Sequence, residues 1–205
     1  MHPIIEKSIN KSISYQDYRA LIKQLIEKNS NTGLEKSEDL ASFTKLNESR
    51  MKRWDKTIKI TDESQKKILE FNHNIIWLVI AESWCGDAAH VLPVLNKIAE
   101  LNSYIDFKIV LRDENLELMD MFLTNGGRSI PKVLMIDSIT GEVINTYGPR
   151  PSEASSYVNR FKAKHGKLTP EFKADLQHWY NKDKGQNIIN DIVQQLCKLE
   201  PTVCL

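Results

Sequence analysis

The stretch ESWCGDAAHVLP, residues 82–93, decides how this chain is read. IIWLVIA (75–81) runs into it, continuously apolar and rich in β-branched side chains. A run that short fits a strand buried on both faces and is far below the ~20 residues of a membrane helix. Beyond it, Val91, Leu92, Leu95, Ile98 and Ala99 recur at helical spacing over 87–101, with Pro93 expected to kink the helix. Cys85 therefore stands at a strand-to-helix junction, facing the first helical N–H groups and the positive end of the dipole. Both favour a thiolate, so an exposed sulfur with a pKa below the free value of about 8.5 is expected. Trp84 and Gly86 leave room for close backbone approach, whereas an ionised Asp87 would oppose the thiolate. The alternative for a lone cysteine is a small buried hydrophobe.

Working outward, IDFKIVLRD (105–113) reads as a strand and NLELMDMFLTN (115–125) as a helix closed by Gly126-Gly127. PKVLMID (131–137) and EVINTYG (142–148) read as strands joined by a turn at 138–141, and 152–166 as a helix. The middle of the chain is thus β-α-β-α-β-β-α. Alternating strands and helices argue for parallel pairing, and the short last turn forces an antiparallel pair. Helices are expected upstream at 14–29, 40–54 and 61–72, and one or two more within 170–199. The organisation expected is an N-terminal helical extension (1–73) packed on the core, a central α/β domain (74–163) and a C-terminal helical extension (164–205), together one compact domain.

The 205-residue chain has a formal net charge of +1, with 41% hydrophobic and 27% charged residues. That is an ordinary globular composition with no global field for nucleic acid or membrane. Residues 74–150 carry 6 basic against 10 acidic side chains, so the middle is acidic between Lys-rich flanks. The densest basic cluster, Arg50, Lys52, Arg53 and Lys56, lacks aromatic interleaving and reads as a solvated face. The opening MHPIIEKSINK has neither the cationic nor the apolar region of a secretory signal. Three cysteines, Cys85, Cys197 and Cys204, are odd in number and sparse, which fits a reducing cytoplasm. A Cys197–Cys204 pair stays open. His73, His165 and His178 show no ligand spacing, and no metal or cofactor is implied. His90 is expected to pack or meet solvent rather than act as a base.

RSIPKV (128–133) supplies the second half of the candidate site. Pro131 opens a strand, and Arg128 is either a charge near the sulfur or a surface residue. Together, LVIAESWCGDAAHVLPVLNKIAE and GRSIPKVLMIDSITGEVINTYG resemble the thioredoxin superfamily in motif, spacing and element order over about 74–163. The flanks, with KLNESRMKRWDKT, are similar to a bacterial group of thioredoxin family proteins with N-terminal helices. The resemblance implies an α/β thioredoxin-like fold: a mixed central sheet, helices on both faces, and extra terminal helices. It matches Cys85 to the nucleophile, Trp84, Gly86 and Asp87 to the flanking turn, Pro131 to a cis-proline, and Ile130 to the residue whose backbone pairs with an extended substrate.

Three departures weigh against a dithiol enzyme. Ala88 replaces the resolving cysteine, Val79 a buried aspartate, and Asp87 the usual proline. Without a second thiol at 88, release of a mixed disulfide must come from a small thiol or from Cys197 or Cys204. The expected function is monothiol thiol–disulfide exchange or redox sensing through Cys85, with a protein or low-molecular-weight thiol or disulfide as partner. The alternative is an inactive module binding an extended peptide beside Pro131.

Overall fold

The computed structural model describes residues 1–203 in full and the backbone of Cys204. Four strands, β1 (Ile75–Ala81), β2 (Ile105–Leu111), β3 (Lys132–Asp137) and β4 (Val143–Tyr147), form one sheet in the order β2-β1-β3-β4. β1 pairs parallel with β2, Ile75 against Ile105 through Ala81 against Leu111. On its other side β1 pairs antiparallel with β3, Val79 against Val133. β3 and β4 close the hairpin that the turn at 138–141 predicts. All of β3, and all of β1 except Ile76, are buried, which is why both strands read as unbroken apolar runs rather than alternating ones.

Around the sheet lie α1 (Pro3–Asn10), α2 (Tyr15–Glu27), α3 (Glu38–Thr57), α4 (Asp62–Glu70), α5 (Gly86–Ala99), α6 (Leu116–Met121), α7 (Ser152–His165), α8 (Pro170–Asp183) and α9 (Gln186–Leu199). Side-chain oxygens of Ser14, Ser37, Thr61 and Thr169 cap α2, α3, α4 and α8 by accepting a backbone N–H. α5 continues through Pro93. One core draws Ile5, Tyr18, Ile22, Met51 and Trp54 from the N-terminal helices and Ile188, Ile192 and Leu196 from α9 onto the strands. A satellite cluster of Ala154, Val158, Phe172, Leu176 and Tyr180 joins α7 to α8.

One local expectation fails, and one helix lies outside the expected set. That helix is α1, where Pro3 occupies the first turn and His2 Nδ1 accepts the Ile4 N–H at 3.3 Å. α6 stops at Met121 rather than near residue 125. Asn125 (φ 51°) and Gly126 (φ 75°) instead form a tight turn in which Thr124 and Gly127 exchange backbone hydrogen bonds. Asn125 and Gly126 shape that turn, and the helix has already ended.

Candidate functional site: a walled pocket over Cys85

β1 delivers Cys85 to the N-cap of α5, where its backbone is extended (φ −78°, ψ 115°). The Ile130–Pro131 peptide is cis, and the Cys85 thiol donates to the Ile130 carbonyl at 3.3 Å. Gly148 backs this loop. A Cβ there would come 2.3 Å from the Pro131 carbonyl oxygen, and its φ of 102° favours glycine. The residue is largely buried, with Cys85 9% exposed. Burial, and then the Asp87 carboxylate, push its pKa up to about 12 against the opposing N–H groups of Ala88 and Asp87 and the charge of Arg150. The expectation of a lowered pKa is therefore overturned. Desolvation outweighs the helix terminus.

The extensions pack around the turn that carries Cys85. Asn47 on α3 donates to the Ser83 carbonyl at 2.8 Å, and Thr44 shares a 2.9 Å hydrogen bond with the Ser83 hydroxyl. Thr32 accepts the Ser83 N–H at 2.8 Å and donates to the Glu82 carboxylate, which burial raises in pKa. The residues just before Trp84 are thus tied to α3 and the loop ahead of it. From the opposite side α8 contributes Tyr180, whose hydroxyl donates to Asp87 Oδ1 at 2.9 Å, while Arg150 binds Asp87 Oδ2 at 2.7 Å. Between α3 and α8, above Cys85 and Gly86, opens a groove of about 570 Å³. Leu40, Phe43, Trp84, Leu168 and Leu176 supply apolar wall, and Arg50, Arg150, Lys173 and Gln177 the polar groups besides Asp87.

His90 is buried beneath this groove. Its Nδ1 accepts the Trp54 indole N–H at 2.8 Å, so the proton sits on Nε2, which donates to Gln177 Oε1 at 2.8 Å. The ring stacks on Tyr180 at 4.2 Å between centroids. Burial drives its pKa down to about 3, with the hydrogen bond to Gln177 opposing and the charges of Arg50 and Arg53 adding.

The family model described as Thioredoxin matches residues 33–164. The chain belongs to the thioredoxin family. The match spans the whole Cys85–Pro131 unit and reaches into the loop that precedes α3. Among solved structures, a protein of unknown function, PA1234, from Pseudomonas aeruginosa is similar with a TM-score of 0.58. At 16% identity the likeness covers 89% of this chain and 96% of that one. An HIV epitope-scaffold is similar with a TM-score of 0.55, again at 16% identity and the same coverage. These likenesses extend the fold to the flanking helices and carry no function. No curated protein sequence matches the chain.

In this thioredoxin-family chain the structure brings Trp84, Cys85, Gly86 and Asp87 together on the pocket and sets Ile130 and Pro131 behind the sulfur. Trp84 carries the Arg112 guanidinium 4.8 Å from its ring centroid. Arg128 is not at the sulfur. Its guanidinium forks onto Asp120 at 2.6 and 2.7 Å. Cys197, half-buried on α9, is disulfide-bonded, and the side chain of Cys204 lies outside the described residues. Sequence reasoning missed Arg150, Gln177 and Tyr180, which no local motif marks. Arg50, expected on a solvated face, lines the pocket half-buried. Among the described residues, no helix is long and apolar enough to cross a membrane, and no three His, Cys, Asp or Glu side chains converge as metal ligands.

Proposed function

We propose that this protein is a thioredoxin-fold binding module, in which α3 and α8 turn the redox face of the fold into a ligand pocket and Cys85 is part of its floor. The observation that carries this reading is the state of the sulfur. It is buried, hydrogen-bonded to Ile130 and pushed up to about 12, under walls that both extensions build. A nucleophilic cysteine needs the thiolate, and this environment holds the thiol. Ala88 removes the intramolecular second step as well.

Monothiol exchange is the second reading. The backbone N–H groups of Asp87 and Ala88 and the Arg150 charge, which all favour a thiolate, speak for it. In that reaction Cys85 loses its proton and its sulfur attacks a disulfide. A mixed disulfide forms, one thiol leaves with the proton, and a second external thiol releases the protein. Incubation with glutathione disulfide at neutral pH, followed by peptide mass mapping, separates the two. The binding reading expects Cys85 to stay unmodified while the unfolded chain reacts. Stoichiometric mixed disulfide at Cys85 in the folded protein would overturn it.

A further inference from the structure

The polar groups of the pocket are not spread evenly. A Cβ built on Gly86 would lie 3.4 Å from Arg50 Nη1 and 3.7 Å from Gln177 Nε2, with Gln177 Oε1 farther off at 4.0 Å. Two donors therefore converge on a point that glycine leaves open, at the first turn of α5. The direction of the Gln177 amide is set from below. Trp54 N–H fills His90 Nδ1, His90 Nε2–H fills Gln177 Oε1, and the amide NH₂ is left for the groove. Arg50 donates to Asn47 Oδ1 at 2.8 Å and, among the described residues, has no carboxylate partner. Asp87 attracts the Arg50 charge through space, but its two oxygens are hydrogen-bonded to Arg150 and Tyr180, so it makes no direct contact with the Arg50 guanidinium. With Arg150 and Asp87 paired to each other, the pocket presents two cations that have no carboxylate contact among the described residues, Arg50 and Lys173. Away from this corner the wall is aliphatic and aromatic, with Phe43 50% exposed.

We propose that the pocket binds an aliphatic carboxylate, its head over Gly86 between the Arg50 guanidinium and the Gln177 amide, its chain along Leu40, Phe43, Leu168 and Leu176. The assignment rests on the binding reading and names the ligand class for that same site. An apolar tail gains by leaving water, and a carboxylate gains a charge-assisted hydrogen bond in a half-buried setting where a neutral head gains little. His90 acts as a positioning residue, because it fixes which end of Gln177 meets the ligand.

Isothermal titration calorimetry with decanoate tests this. Decyltrimethylammonium serves as the control of opposite charge. Wild-type protein is expected to bind decanoate and to discriminate against the cation. Arg50→Met removes the charge and keeps the stem. Gly86→Ala fills the head-group point with a methyl at ordinary contact distance, so the fold tolerates it, as its melting temperature should show. Each is expected to weaken decanoate about tenfold or more, the loss of a hydrogen bond to a charged group. Lys52→Gln, on the exposed side of α3, is expected to bind as wild type. Equal affinity for decanoate and the cation, wild-type affinity in both Arg50→Met and Gly86→Ala, or no decanoate binding overturns the ligand class. If Cys85 is still inert to glutathione disulfide in that case, the binding reading survives. If it reacts, both fall.

Discussion

The buried imidazole of His90 makes a specific demand on acid stability. In the folded chain its pKa is lowered from 6.5 to about 3, and the residue is 1% exposed, so it stays neutral where the unfolded chain takes up a proton. A depressed folded pKa means that stability is full above the unfolded value and is lost as pH falls from about 6.5 toward 3. At about 1.36 kcal/mol per unit, the step from pH 7 to pH 5 costs about 2 kcal/mol from this one residue. His90→Phe keeps a ring against Tyr180 and cannot titrate. It strands the Trp54 N–H and Gln177 oxygen, so the variant starts about 2 kcal/mol or more below wild type at pH 7. Urea unfolding at both pH values for both proteins isolates the histidine, since the carboxylates contribute alike and cancel in the difference. Wild type is expected to lose about 2 kcal/mol more than His90→Phe over that interval. The same acid slope in both, or an imidazole ¹⁵N signal that titrates above pH 5 in the folded protein, would refute the Trp54–His90–Gln177 arrangement.

Other substitutions probe the remaining supports. Gly148→Ala drives a methyl to 2.3 Å from the Pro131 carbonyl at a φ of 102° and is expected to destabilise by about 3 kcal/mol or more, read by urea midpoint. Asn47→Ala leaves the Ser83 carbonyl without its partner on α3 and should cost about 1–3 kcal/mol in the same assay. Asp87→Asn removes the charge that, after burial, does most to raise the Cys85 pKa, and leaves Arg150 unanswered. The pH profile of Cys85 alkylation is expected to move down in this variant, and an unchanged profile would remove Asp87 from the account.

What the sequence revealed was what short-range physics controls. IIWLVIA had to be a doubly buried strand, because no other element of that length hides so many branched side chains. The helix after Cys85 and the final hairpin follow from periodicity and a four-residue turn. Local pattern failed where the outcome depended on distant chain. Gly126-Gly127 looks like a helix end, but α6 had already stopped at Met121. Arg128 is near Pro131 in sequence, yet Asp120 claims it. The helix terminus alone argued for an activated thiol. What reverses that is desolvation by elements on either side of β1, joined by residues such as Asn47 and Tyr180 that carry no motif. Gln177 could not be singled out at all, since its meaning comes from a histidine far upstream that also holds Trp54.

The claim on which the rest depends is that Cys85 rests as a buried thiol. Its alkylation by iodoacetamide across pH, followed at that residue by mass spectrometry, measures this directly. Burial, and then Asp87, push the pKa up to about 12, so the rate should rise without inflection through pH 8.5 and lag far behind that of the unfolded chain. A plateau with a midpoint below about 7 would mean a stabilised thiolate, and would return the protein to the redox members of its family.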